Sequence, residues 1–151
     1  MVSTLETPRF ELPLLAAGQA HKEFFHNDAL LLLDFLVHPI VQAVAENPDG
    51  LSPENGQAWL VASAGAGLWS DVPHHIALWT GGGWRYIKPQ ESMKIIILSD
   101  AVTAIYRGND WQLFSEIESP QGGGNVDIEA RAAIDSILAR LRETQFLPPI
   151  N

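Results

Sequence analysis

Histidines and carboxylates are the residues of this chain that could bind a metal ion or transfer protons. Among its five histidines, His21 and His26 of "HKEFFH" are five residues apart, which is not the one-turn spacing that presents two zinc ligands on one helix face. His74 and His75 are adjacent and would point to opposite faces of a strand. Because the chain has no cysteine, a zinc site would need ligands from distant elements. We predict no metal site.

Three acidic residues could in principle pair for glycoside hydrolysis, namely Asp71, Glu91 and Asp100. Eighteen acidic residues among 151 make such groupings common by chance. The glycine-rich "SAGAG" lacks the Lys-Ser/Thr that follows in a phosphate-binding loop, and we find no nucleophile elbow or triad pattern. The sequence therefore predicts no catalytic residue, no cofactor and a protein that is not an enzyme.

Two similar aromatic stretches, "ALWTGGGWRYI" and "AIYRGNDWQLF", are more distinctive. Their glycine-containing connectors predict hairpins in which Trp79 faces Trp84 and Tyr106 faces Trp111. Two interpretations stay open. The aromatic pairs fix the hairpin register and cover a small core, which we favour, or they form a surface that stacks on sugars. The candidate glycan-stacking residues are Trp69, Trp79, Trp84 and Trp111.

These aromatics must be positioned by a β-rich body at 51–116. It contains six stretches of strand composition separated by turn residues, which are 58–62, 75–79, 84–88, 94–98, 102–106 and 111–115. An N-terminal arm and helix at 1–50 precede this body. A glycine-rich linker at 117–125 and a C-terminal helix and tail at 126–151 follow it. The predicted fold class is α+β, mainly β, with a small antiparallel body.

The N-terminal segment begins with "TPRFELPLLAAGQA", which predicts an extended arm. The following "HNDALLLLDFLVHP" predicts a short helix that is capped by Asn27 or Asp28 and stopped by Pro39. Leucines surround most of its axis and leave Asp34 on a narrow polar strip, so we expect its own domain or a partner chain to bury it. "IVQAVAE" is predicted to add two helical turns. The candidate interface residues on this helix are Leu30 and Leu33.

The C-terminal stretch "VDIEARAAIDSILARLRETQFL" is the clearest helix in the sequence. Asn125 is its predicted N-cap. Its apolar stripe has a 4-3-4-3 spacing but extends over only two heptads. Self-association and packing on its own domain therefore both stay open. The candidate interface residues here are Ile134, Ile137 and Leu141.

Composition excludes some partners. The net charge is −9, so we expect no binding to the nucleic-acid backbone. The longest apolar stretch, 29–45, is interrupted by Asp34, His38 and Pro39, so we expect no membrane insertion. The N-terminus "MVSTLETPRF" lacks the basic and apolar regions of a signal peptide. We expect synthesis in the cytoplasm without such a peptide.

Residues 7–34 resemble the opening of an uncharacterised domain family encoded in tailed-phage and gene-transfer-agent structural regions. The motif positions are Thr7, Pro8, Arg9, Leu12, Pro13, Ala16, Ala17, Gly18, Gln19, Ala20, Lys22, Asn27, Ala29, Leu30, Leu33 and Asp34. The resemblance continues through Gly56, "WLV", "AGAGLW", "IALW", "GGWRYIKP" and Tyr106-Arg107-Gly108…Trp111, and covers about 7–114. In two places the chain departs from the family pattern: Asp28 replaces a glutamate, and "ESM" stands where Glu-Gly-Trp is usual.

The resemblance implies a virion component of a phage or phage-like particle, with no catalytic residues to carry over. The expected function is a spike or fibre base, or an adaptor that links capsid or tail to a receptor-binding protein. The expected partners are therefore other particle proteins and further copies of the chain, with a trimer as first choice. The alternative function is a carbohydrate-binding module that recognises host capsule or surface polysaccharide.

Overall fold

The computed structural model describes residues 5–18, 22–114, 117–119 and 127–147. Within these ranges the chain forms two helices and eight strands in two mostly antiparallel sheets, which confirms the predicted α+β, mainly β fold. It divides into two compact units, 1–89 and 90–151. The boundary between the units falls inside the region that was predicted as one β body, and most of the predicted linker lies outside the described residues.

Each predicted strand is present. The elements in chain order are α1 (Lys22–Leu36), β1 (Ile40–Val41), β2 (Val44–Ala45), β3 (Ala58–Val61), a 3-10 turn (Gly67–Trp69), β4 (Ile76–Thr80), β5 (Gly83–Ile87), β6 (Lys94–Ile97), β7 (Val102–Arg107), β8 (Asp110–Leu113) and α2 (Ile128–Glu143).

The first unit contains a sheet with strand order β2-β3-β4-β5, in which β2 is parallel to β3 and the other pairs are antiparallel. Trp79 pairs directly with Trp84, as the hairpin spacing predicted. The turn is tight because Thr80 pairs with Gly83, and the Thr80 hydroxyl donates to the Gly83 carbonyl at 2.8 Å. Gly83 has a φ of +104°, a conformation that glycine adopts without strain.

Two predictions about the helical part of the N-terminal segment are wrong. Helix α1 begins at Lys22 rather than after Asn27, because the Asn27 side chain exchanges two hydrogen bonds with the backbone of Leu15 and does not cap a helix. The two further helical turns are absent, and β1 and β2 take their place. This segment pairs with β3 instead, since the Leu60 N–H donates to the Ala43 carbonyl at 3.0 Å.

The second unit contains the antiparallel strands β6, β7 and β8. Tyr106 pairs with Trp111, as predicted. The β7–β8 turn has positive φ at both central residues, Gly108 and Asn109, which is the backbone of a type I′ hairpin. Helix α2 is capped by Asp127, whose carboxylate accepts from the Ala130 N–H at 2.9 Å. The predicted cap, Asn125, lies outside the described residues.

Candidate functional site

Trp84 lies at the centre of four indole rings in the first unit. Its ring centroid is 4.9 Å from that of Trp79, 5.2 Å from Trp69 and 5.8 Å from Trp59, with the planes close to perpendicular. Such edge-to-face contacts add about 0.5–1.5 kcal/mol per pair beyond the burial of surface. The cluster is continuous with the core formed by Trp59, Val61, Trp69 and Ala77. These tryptophans therefore pack the inside of the unit.

Two of the four candidate glycan-stacking residues have almost no exposed ring surface. Trp69 is 0% exposed and Trp111 is 7% exposed, the latter with its ring 5.3 Å from that of Tyr106. Trp79 and Trp84 are half-buried within the indole cluster. A sugar stacks on an exposed ring face, so Trp69 and Trp111 cannot serve as its platform. That part of the prediction is corrected. Burying a large aromatic ring in the core stabilises the fold more than leaving the ring exposed on the surface.

A second cluster surrounds Asp34, which is only 1% exposed. Its carboxylate accepts hydrogen bonds from the Thr7 hydroxyl at 2.6 Å and from the backbone N–H groups of Arg9 at 3.0 Å and Phe10 at 2.9 Å. Hydrogen bonds to a charged group contribute about 1.5–3 kcal/mol each. Asp34 thus anchors the N-terminal arm to α1.

Arg9 completes this attachment from the arm side. Its guanidinium donates to the carbonyls of His38 at 2.8 Å, Gly56 at 2.9 Å and Ile40 at 3.0 Å. It also lies over the Phe35 ring, with Cζ 4.7 Å from the ring centroid. Desolvation lowers the pKa of Arg9 from its usual value, and the nearby Asp34 carboxylate opposes that shift. The guanidinium remains charged and ties the arm to two backbone segments, at 38–40 and at Gly56.

The arm itself is folded rather than extended, which corrects the prediction. Thr7 and Leu12 are joined by a backbone hydrogen bond of 2.9 Å, and the Thr7 hydroxyl also accepts from the Leu12 N–H. Gly56 lies against Pro8, and a Cβ on Gly56 would be 2.7 Å from the Pro8 Cγ. We call the set Thr7, Pro8, Arg9, Asp34 and Gly56 the arm lock. All five are positions that carry the family resemblance.

Asp28, which replaces a glutamate of the family pattern, contacts another element of the fold. Asp28 forms an ion pair with Arg85 at 3.3 Å, which joins α1 to β5. Both side chains are substantially exposed, so the pair contributes at most about 1 kcal/mol. Five residues earlier on α1, Glu23 accepts from the Gly18 N–H at 3.3 Å. Acidic residues on this half of the helix therefore contact two neighbouring segments.

Most of the histidines and acidic residues considered for chemistry lie within the described residues. Among the described residues, no group of three or more His, Asp or Glu side chains could hold a metal ion. Asp71, Glu91 and Asp100 are all exposed, and the Glu91 carboxylate accepts from the Gly108 N–H at 3.3 Å. His21 lies outside the described residues. Within the described part of the chain, no helix is long and apolar enough to cross a membrane.

The candidate interface residues lie on the surface to different degrees. Leu33 on α1 and Ile134 and Ile137 on α2 are exposed, whereas Leu30 and Leu141 are half-buried. On α2 an apolar groove of about 440 Å³ runs beside Ile137, Leu141 and Phe146. Sequence reasoning missed Phe25, which is 84% exposed, because the predicted helix began after it.

The fold and these clusters define a mainly β protein of two units whose tryptophans and buried charges stabilise the interior. Residues 26–112 match the family described as "Protein of unknown function (DUF2793)". Since the match covers more than half of the chain, the protein belongs to that family. The matched segment includes Asp34 and Gly56 of the arm lock, whereas Thr7, Pro8 and Arg9 precede it. No curated protein matches the chain.

Proposed function

We propose that this protein is a non-enzymatic structural component of a phage or phage-like particle. In this role it is a spike or fibre base, or an adaptor between the capsid or tail and a receptor-binding protein. The particle class rests on the motif resemblance from Thr7 to Asp34. The adaptor role is supported by which side chains are buried and which are exposed.

The observation that carries the proposal is a difference between the interior and the surface of the described residues. The most specific polar and aromatic geometry, in the arm lock and the indole cluster, is internal. Both helices meanwhile present large apolar side chains to solvent, among them Phe25, Leu33 and Ile137. Exposed apolar surface of this kind is typical of protein–protein contacts rather than small-molecule sites. We infer that the chain self-associates, with a trimer as first choice, and binds other particle proteins.

Particles from the producing cell test this role directly. We expect mass spectrometry to find the chain in purified particles. We also expect particles that lack it to lose a surface projection together with the receptor-binding protein. Complementation with the wild-type gene is the control for the deletion. Absence of the chain from purified particles would overturn the proposal.

A further inference from the structure

Helix α1 has two apolar sides. The inner side carries Phe35, which is fully buried, and Leu31, and it faces the arm and β4. The outer side carries a row that we call the outer stripe, formed by Phe25, Ala29, Leu32 and Leu36, of which Leu32 is half-buried and the others are exposed. Phe25 and Leu36 are 84% and 40% exposed, and Leu33 beside them is 50% exposed. A helix that uses only one side for its own domain does not need this second row.

We propose that the outer stripe is the surface through which copies of this chain associate, α1 against α1. This inference deepens the self-association in the proposed function and rests on it. The stripe residues follow a 4-3-4 spacing, which is the period that keeps an apolar row facing another helix. A second copy of α1 supplies a helix with the same period and composition.

The charge and the apolar area of the outer stripe are both compatible with contact to α1 of a second copy. The stripe contains no charged residue, and the nearby Asp28 carboxylate is engaged by Arg85 at 3.3 Å. Two copies of the stripe therefore meet without bringing unpaired like charges together. Large aromatic side chains bury about 150–250 Å² each, so Phe25 and its leucine neighbours offer on the order of several hundred Å² per copy. That is a substantial part of the roughly 800 Å² per partner in a standard interface.

A membrane surface fits the same helix less well. The chain carries a net charge of −9, which opposes approach to an anionic leaflet. Lys22 is the only lysine on α1, and the helix has no arginine. The acidic chain therefore disfavours an anionic leaflet, and the uncharged stripe leaves a second copy as the better partner at this surface.

The test uses the full-length protein and measures its mass by light scattering over a concentration series. The variants are Phe25→Glu and Ala29→Glu, which place a charge on exposed stripe positions and leave the core unchanged. We expect wild type to form oligomers, and each variant to raise the dissociation constant at least about tenfold. The matched control is Leu68→Glu, which adds the same charge at an exposed leucine of the 3-10 turn and should not change the mass.

The outcomes are distinguishable. Circular dichroism and melting curves, recorded where each sample is monomeric, should be the same for wild type and variants. If the wild type is oligomeric and neither stripe variant dissociates it, α1 does not form the interface between copies. Self-association of the chain remains supported in that case. A wild type that stays monomeric throughout overturns the inference as well. The particle role is then still decided separately, by mass spectrometry of purified particles.

Discussion

The Thr7 hydroxyl donates to the Asp34 carboxylate at 2.6 Å, and both residues are almost completely buried. They are 27 residues apart in the chain. Two backbone N–H groups of the arm bond to the same carboxylate. The buried Asp34 thus attaches the arm to α1. Arg9 attaches the arm to the backbone at 38–40 and at Gly56.

Removing this acid should loosen the arm and lower stability. We expect Asp34→Ala to reduce the free energy of unfolding by about 3 kcal/mol or more, because it leaves buried donors without an acceptor. Urea denaturation measures the change. Asp71→Ala, at an exposed acid, is the control and should change the free energy by less than about 0.5 kcal/mol. Equal stability of the two variants would contradict the structural role of Asp34.

The contact between Gly56 and Pro8 can be tested apart from backbone conformation. Gly56 and Gly50 have similar φ values of +86° and +79°, but a Cβ on Gly50 meets no atom within 4 Å. Both alanine variants carry the cost of positive φ, and only Gly56→Ala adds the clash. We expect Gly56→Ala to be less stable than Gly50→Ala by about 1–3 kcal/mol. Adding Pro8→Ala should recover part of the difference, and equal losses would exclude the clash.

The two hairpin tryptophans are predicted to act as packing residues. Trp84→Ala removes the ring that contacts three other indoles, and Trp111→Ala removes a buried partner of Tyr106. We expect each to cost about 3–5 kcal/mol in chemical denaturation, with a smaller loss for Trp84→Phe. Pull-down on host capsule or lipopolysaccharide is the parallel assay. Normal stability of Trp84→Ala combined with lost glycan binding would support the carbohydrate-binding alternative.

Neighbouring residues on α2 should respond differently to truncation. Leu138 is 4% exposed, whereas Ile137 is 60% exposed. We expect Leu138→Ala to lower the free energy of unfolding by about 2–5 kcal/mol and Ile137→Ala to change it by less than about 0.5 kcal/mol. Thermal and urea denaturation of the two variants provide the comparison. A large loss at Ile137 would show that this side of the helix is covered in solution.

The sequence by itself determined the hairpins and the fold class. The pairing of Trp79 with Trp84 and of Tyr106 with Trp111 could be predicted because a short turn fixes the register of the strands that flank it. The C-terminal helix was equally visible, since the 4-3-4-3 spacing of its apolar residues is a local signal. Its cap could not be assigned to Asp127 from the sequence alone, because several nearby residues can cap a helix.

Only the tertiary structure decided the role of Asp34 and the start of α1. Both depend on the folded arm, whose residues are distant in sequence and bond to Asp34 and Asn27. The same holds for the tryptophans, because a hairpin pair can face either solvent or a core. The half-buried position of Trp84 follows from contacts with Trp59 and Trp69, which come from other strands and loops. Local pattern sets which residues pair, whereas burial is set by elements that the chain brings together only when it folds.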